Sequence, residues 1–345
     1  MSEPMIPMPH KQQISVIMPV YNGKEFIVRS LPPLMAMERR GEVVEVVVVD
    51  DSSTDETPQI AAQLGARVIP SGGRLGPGAA RNLAAHEARG NVVWFVDADV
   101  IVHDDAVQYI NEGLAEPGVV AVFGSYDDRP PAQNFLSQYK NLVHHFYHHR
   151  GRREASTFWS GCGAVRREAF LAAGGFDVER FKRPSIEDIE LGYRLRNAGG
   201  HIVLNPDFQS THLKVWRFVN LLHTEIFCRA IPWSRLMLEQ PGMTDDLNVS
   251  PMERLRAGLA GVFALVILAA LAGLMPWWCV PLVFGVIALA NRKLVALFWH
   301  RKGLLFALAG LLFHQLYYLY SSAAFVYSWL EWKLIRRSSP LPGKG

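Results

Sequence analysis

Residues Ala257 to Met275 read AGLAGVFALVILAALAGLM, nineteen positions without a charge, close to the roughly 20 that a helix needs to cross the hydrocarbon of a bilayer. Apolar sequence resumes after Pro276, Trp277 and Trp278 and runs to Ala290, and a third stretch extends from Gly303 to Leu330. None of the three shows the periodicity of a half-buried helix. Trp277, Trp278, Trp299, Trp329 and Trp332 stand near their ends, where amphipathic rings sit at headgroup depth. A membrane module of about three helices is therefore expected over residues 257–332. Arg254 and Arg256 precede the first run, and Arg292, Lys293, Arg301 and Lys302 separate the second from the third. The positive-inside rule puts both groups in the cytoplasm and makes the first two runs a hairpin. The third run poses a conflict, because one crossing would export Lys333, Arg336 and Arg337. Either that cost is accepted or the segment bends within the membrane, and both readings stay open.

Charge follows the same division. Residues 251–345 hold ten Lys or Arg and two Asp or Glu, a net +8, against −5 for residues 1–250. With the basic excess confined to the membrane-proximal part, nucleic acid is not an expected partner. Cys162, Cys228 and Cys279 are too few and too scattered for a disulfide scaffold or a cysteine-rich zinc site, which suits a reducing compartment. Met1 to Gln13 contains no apolar run of the signal-peptide kind. The expectation is a multi-pass protein of the inner cell membrane whose N-terminal part faces the cytoplasm.

That N-terminal part alternates short β-branched or apolar runs, at 14–20, 43–49, 66–69 and 92–96, with segments of helical character. Such alternation implies an α/β fold with a mostly parallel sheet covered by helices on both faces. Open sheets of this kind bind ligands at the carboxyl ends of their strands. Acidic residues stand at those ends: Asp50 and Asp51 after the second run, Asp97 and Asp99 after the fourth. Asp97-Ala98-Asp99 can place carboxylate oxygens on Mg or Mn, hard ions that share their shell with substrate phosphates. Taken alone it can equally be a solvated acidic turn, and Asp50 to Asp55 can be a strand end followed by a capped helix.

Together with Pro19-Val20-Tyr21-Asn22 at the end of the first strand, these segments resemble the family 2 glycosyltransferases of the nucleotide-diphospho-sugar, GT-A (Rossmann-like) type. Further segments match in order: Gly76-Pro77-Gly78-Ala79-Ala80-Arg81-Asn82, Phe158-Trp159-Ser160-Gly161-Cys162-Gly163, Gly174-Gly175-Phe176-Asp177 and Glu187-Asp188. The match covers roughly residues 14–235, and its specificity lies in the shared order of these short motifs. No Gly-x-Gly-x-x-Gly follows the first strand, so a Rossmann dinucleotide site is not implied.

The resemblance implies a role for each matching position. Pro19, Tyr21 and Asp51 would hold the nucleotide, with Asp51 accepting from the base and Asp50 nearer to structure. Arg74 and Arg81 border the nucleotide in relatives and suit phosphate, although each can equally be a surface charge. Asp97 would bind the ribose and share the divalent cation with Asp99. His212 is a candidate third metal ligand or a structural histidine, and His201 is a weaker one. Asp188 matches the catalytic base, with Glu187 tuning it by like-charge repulsion; alternatively Ser185 to Asp188 form a capping box. Ser160, Gly161 and Cys162 would lie on the acceptor side. Arg229 and Trp233 are loosely similar to the Gln-x-x-Arg-Trp element of membrane-embedded synthases, but this chain reads Glu225-Ile226-Phe227-Cys228-Arg229, with Trp233 four residues later.

Two segments complete the reading. The octet His144 to Gly151 has histidine pairs spaced by four, a geometry open to zinc; no further ligands stand nearby, and an aromatic, basic helix at the acceptor or membrane surface is preferred. Trp216 to Leu238 mixes aromatic and basic residues as interfacial helices do, with packing beneath the sheet as the alternative. The expected organisation is a tail at 1–13, a GT-A domain at 14–210, interfacial helices at 211–256, the membrane module, and a basic tail at 333–345. The function expected is a metal-dependent, inverting transfer of sugar from a nucleotide-diphospho-sugar to a lipid-linked or membrane-proximal acceptor, in glycan building at the cell envelope. The competing classes are a nucleotide-binding scaffold or phospho-receiver-like module without transferase activity, and a nucleotidyltransferase on a similar fold. The sequence names neither donor, acceptor nor oligomeric state.

Overall fold

The structure, a computed structural model, describes residues 12–240 and 250–338, the side chains of 335–338 excepted. Most of the two expected tails lies outside these residues. The chain divides into two compact units, Met1–Asp127 with Arg152–Leu213, and Asp128–Gly151 with Lys214–Gly345. Residues 128–151, expected inside the GT-A domain, thus group with the C-terminal helices.

The first unit begins with the expected alternation: β1 (Ile14–Val20), α1 (Lys24–Arg39), β2 (Glu45–Asp50), α2 (Thr57–Gln63), β3 (Arg67–Pro70), α3 (Pro77–Glu87), β4 (Val92–Val96), β5 (Val100–Val102), α4 (Ala106–Ala115) and β6 (Val119–Tyr126). After α5 (Phe135–His148), which belongs to the second unit, it resumes with β7 (Glu154–Ala155), β8 (Cys162–Arg166), α6 (Arg167–Ala172), α7 (Glu187–Asn197) and β9 (His201–His212). The strands form one sheet in the order β3-β2-β1-β4-β8-β6-β9-β5, with β7 on β9. The half from β3 to β4 is parallel. β8 then enters antiparallel to both β4 and β6, so the sheet as a whole is mixed.

Near-continuous apolar strands follow from burial on both faces. Val16, Met18, Val48 and Trp94 share a core with Ile27, Leu31 and Leu34 of α1 and Ile110 of α4. On the alternate face, Phe95 meets Phe170 of α6 and Phe176, at ring-centroid distances of 5.2 and 5.3 Å.

In the second unit α5 is followed by α8 (Phe218–His223), a π-helical turn (Thr224–Ala230), α9 (Ile231–Glu239), α10 (Pro251–Leu271), α11 (Cys279–Ala290), α12 (Arg292–Lys302) and α13 (Leu304–Ser338). The labels α6 and α7 stay with the first unit. Among the described residues two helices are long and apolar enough to cross a membrane, α10 and the Leu304–Leu334 part of α13. The second apolar run makes only the 12-residue α11, which meets α12 at an angle of 88°. The bend falls where Asn291, Arg292 and Lys293 interrupt the apolar sequence; of the stretch from Gly303 to Leu330, offered above as a place for a bend, Gly303 is the break after α12 and the rest, from Leu304, is one continuous helix.

The octet is not a surface helix. His145, Phe146, Tyr147 and His148 are buried, because Tyr139, Leu142, Phe146 and Tyr147 pack on Leu294, Phe298 and Ala307. Its histidines meet in tilted pairs, His144 with His148 and His145 with His149, with centroids 3.9 and 3.8 Å apart.

Packing alone does not hold these helices, since a buried Glu253 carboxylate accepts hydrogen bonds from Tyr147 Oη at 3.0 Å and Tyr318 Oη at 2.6 Å and pairs with Arg256. His314, fully buried, lies 2.7 Å from Tyr139 Oη and 3.3 Å from Tyr147 Oη. Glu253→Ala removes the acceptor shared by two hydroxyls and the ion-pair partner of a mostly enclosed guanidinium, a loss of roughly 3–5 kcal/mol. Its melting temperature in detergent is expected to fall clearly below wild type, and an unchanged value would show that this carboxylate does not join the helices.

Candidate active site

The carboxyl ends of β1 and β2 are tied together before any ligand arrives. Asn22 Oδ1 accepts from Thr54 N at 2.7 Å, Ser53 Oγ accepts from Asn22 N at 2.9 Å, and Thr57 Oγ1 accepts from Gly23 N at 2.9 Å. Asp51 is buried and shapes the next loop: Oδ1 accepts from Ser71 Oγ at 2.9 Å and Leu75 N at 2.8 Å, and Oδ2 from Gly76 N at 2.9 Å. The carboxylate assigned to a base is thus engaged by its own chain. Asp50 accepts from Ser53 N at 3.2 Å. Pro19 lies within β1 opposite Val49. Tyr21 is exposed, and the Arg74 guanidinium lies 4.0 Å from its ring centroid.

β4 delivers Asp97-Ala98-Asp99 into a tightly held turn. Asp97 N donates to Gly161 O at 3.1 Å, Val100 N to Asp97 O at 3.0 Å and Leu213 N to Asp99 O at 2.8 Å, while Ser30 Oγ donates to Ala98 O at 2.7 Å. Arg81, expected at phosphate, is instead turned inward and 3% exposed. It donates to Asp97 Oδ1 at 2.5 Å and stands 3.9 Å from Glu187 Oε1. Enclosure pushes the Asp97 carboxyl above the ordinary range, with Arg81 opposing and Asp99 and Asp188 adding to the push. Burial, with the charge of Asp188, does the same to Glu187, and Arg81 again opposes.

Asp188 lies in the first turn of α7. Its Oδ2 accepts from Ser160 N at 3.1 Å and from Ser160 Oγ at 3.2 Å, and its Oδ1 from Ile189 N at 2.9 Å. The capping box does not form: Ile186 is the N-cap, no side chain caps the helix, and Ser185 N donates to Glu187 Oε2 at 2.7 Å. Gly192, one turn further on, explains the close approach. A Cβ there would meet Phe158 N at 2.4 Å and Thr157 C at 2.7 Å.

His212 ends β9 opposite Val100, and its Nε2 stands 3.5 Å from Asp99 Oδ2. His201, at the other end of the same strand, pairs with Glu154 instead. One carboxylate and one imidazole converging at that distance, each mostly buried, suit a divalent ion whose remaining positions are filled by diphosphate oxygens. Among the described residues no cluster of three metal-ligating side chains occurs, so the fit is to an ion held jointly with a phosphate ligand. Cys162 is removed from the acceptor side: it is fully buried, and burial pushes its thiol up to about 12. Arg229 and Trp233 lie in the second unit, where Arg229 Nη1 stands 3.4 Å from Glu225 Oε1 and Trp233 is on α9.

The aromatic support of His212 has no signal in the sequence reading. Tyr126, at the end of β6, stacks on the imidazole, and Trp159 meets Tyr126 edge-on. Asn82 is likewise unassigned above. Its Oδ1 accepts from Phe176 N and its Nδ2 donates to Phe176 O, both at 2.8 Å, which fastens the Gly174-Gly175-Phe176-Asp177 motif to α3.

A sheet with a parallel half, acidic strand ends and helices on both faces is an arrangement of GT-A type, and comparisons with known proteins agree. Residues 15–173 match the model described as glycosyl transferase family 2. It is 28% identical over 208 residues to an uncharacterised protein of Mycobacterium tuberculosis, covering 55% of this chain and 64% of that one. It is 37% identical over 109 residues to the poly(ribitol-phosphate) beta-N-acetylglucosaminyltransferase TarS of Staphylococcus aureus, 29% of this chain and 19% of TarS. The succinoglycan biosynthesis protein ExoO of Rhizobium meliloti is 36% identical over 117 residues, a third of each chain. The matches thus span less than two-thirds of each of these relatives. In fold, the chain is similar to the mannosyltransferase PcManGT from Pyrobaculum calidifontis, solved with GDP-Man and Mn2+, with a TM-score of 0.61 and 20% identity over 92% of this chain and 88% of that one.

Two outcomes follow from the geometry. Gly192→Ala should force α7 away from Ser160, costing about 1–3 kcal/mol as overpacked sites do and lowering turnover; unchanged stability and rate would mean that the helix does not need this contact. A thiol pushed up to about 12 stays protonated at pH 8, so Cys162 should resist alkylation there until the protein is unfolded, and rapid native labelling would contradict its burial.

Proposed function

We propose that the protein is a membrane-anchored, inverting glycosyltransferase that moves a sugar from a nucleotide-diphospho-sugar to a lipid-linked or membrane-proximal acceptor at the cytoplasmic face of a cell membrane. The observation that carries the reading is the convergence, within a family 2 domain, of the Asp97-Ala98-Asp99 turn, His212 and an Asp188 carboxylate aimed by Ser160. Tyr21 and the loop organised by Asp51 receive the nucleoside, and Asp97 the ribose. Asp99 and His212 hold Mg or Mn, which when bound neutralises charge developing on the departing diphosphate. Asp188 takes the proton of the acceptor hydroxyl as its oxygen bonds to the anomeric carbon and the bond from that carbon to the diphosphate breaks. Attack from the face opposite the leaving group inverts the anomeric centre.

The membrane reading rests on α10 and α13 and on the exposed Phe218, Val219 and Phe227 beside Arg217 and Arg229, a mixture suited to anionic headgroups. An apolar groove of about 330 Å³ within the second unit, lined by Phe135, Ala309, Leu312, Phe313 and Leu316, has the chemistry to take the chain of a lipid acceptor.

Hydrolysis and transfer across a panel of nucleotide sugars, with the protein in membranes, tests the whole reading; release of pyrophosphate from nucleoside triphosphates and sugar phosphates would replace it with nucleotidyl transfer. With a hydroxyl acceptor, Asp188→Asn is expected to lower turnover by about 10² or more with little change in donor affinity. Asp99→Asn should abolish the metal-dependent rate while the protein stays folded and membrane-bound. Unchanged turnover in Asp188→Asn removes it as the base, and chelator-insensitive activity in Asp99→Asn removes the ion.

A further inference from the structure

The imidazole of His212 is held between two groups of different kinds. Asp99 Oδ2 stands 3.5 Å from its Nε2, and its flat face lies on the Tyr126 ring with centroids 4.3 Å apart and planes 7° from parallel. Tyr126 is itself fixed. Trp159 meets it edge-on at 4.8 Å and 87°, and Asp127 N donates to Ser210 O at 2.8 Å, locking the end of β6 to the end of β9. Both stacked residues are more than nine-tenths buried.

A ligand nitrogen is useful to a cation only when the ring plane is set, and a hydrogen-bond partner or a packing surface commonly does this from outside the coordination shell. A histidine at a strand end has two torsions to lose, and a parallel ring at van der Waals distance removes the swing that would turn Nε2 away from Asp99. We infer that Tyr126 is a positioning residue for the divalent cation: through its stacked ring it sets the plane of His212, and so the strength with which His212 and Asp99 hold the ion. The inference rests on the metal reading given under the proposed function. The aromatic face does the positioning, so phenylalanine is an adequate replacement and a branched aliphatic side chain is not.

The test is the apparent Mn2+ affinity of the full-length protein in detergent, taken from thermal-shift titrations at fixed UDP and, separately, fixed GDP. Wild type should respond to Mn2+ with at least one of the two, and His212→Ala should lose most of that response. Tyr126→Leu is expected to bind Mn2+ about tenfold or more weakly, in line with losses on removing outer supports of metal ligands, with nucleotide affinity in the absence of Mn2+ unchanged. Tyr126→Phe should stay within about threefold of wild type, since it keeps the stack that the argument requires. If His212→Ala weakens Mn2+ and Tyr126→Leu lowers only the melting temperature, Tyr126 is ordinary core and the inference falls alone. If neither nucleotide gives wild type an Mn2+ response, or His212→Ala leaves it unchanged, the metal reading falls and takes the inference with it.

Discussion

A single buried cation makes the acidic site possible. Asp97, Asp99, Glu187 and Asp188 gather around the carboxyl end of β4, and two unit charges about 4 Å apart interact by roughly 4 kcal/mol at an effective dielectric of about 20. Arg81 answers this crowding from below, between Asp97 and Glu187. It stands on α3, whose start is fixed by Asp51 through Gly76 N. The second strand's carboxylate therefore acts on the fourth strand's carboxylate through one helix and one guanidinium. The glycine-rich segment between them is less a phosphate cradle than the means of bringing Arg81 to the floor.

The head of α7 depends on that arrangement. Glu187 faces Arg81 and Asp188 faces Ser160, so adjacent carboxylates point to different partners. Burial first and the Asp188 charge second push the Glu187 carboxyl up, and Arg81 limits the rise. Gly192 lets the helix lie on the 157–160 backbone. Pairing Asp188 with a backbone N–H keeps its carboxylate aimed while leaving a lone pair for an incoming proton.

Much of the first unit was legible because its signals are local. Valine-rich runs at 43–49 and 92–96 state burial on both faces, and the acids after them state where the strands end. β6, β8 and β9 were harder: their order depends on an antiparallel β8 entering between β4 and β6, a long-range choice that no local pattern records. The division at Asp127 and Arg152 was invisible for the same reason. His144 to His149 reads as a surface stripe by composition, yet its burial is decided by α12 and α13, some 150 residues away. In the membrane module, charge was read as an orientation signal, and the use of Glu253, Arg256 and His314 as internal fastenings escaped it. Buried polar groups of this kind are costly unless paired, and their partners Tyr139, Tyr147 and Tyr318 are far off in sequence.

His212 shows how a residue of ambiguous type acquires its place. Between the pairs Phe123 with Leu204 and Ser125 with Gln209, β6 advances by two residues and β9 by five. The surplus is three, an odd number, and side chains on a strand alternate with period two, so the irregularity exchanges the faces of everything that follows. Beyond it Phe208, Ser210 and His212 are the buried positions of β9, alternating with Gln209 and Thr211. The sequence marks the spot with Asn205-Pro206-Asp207, where a proline can stand because a bulged residue needs no ladder donor. Across from it Gly124 approaches so closely that a Cβ would lie 1.8 Å from Phe208 O. The irregularity at Pro206 and Gly124 thus sets which side chains in the far half of β9 turn inward, His212 among them.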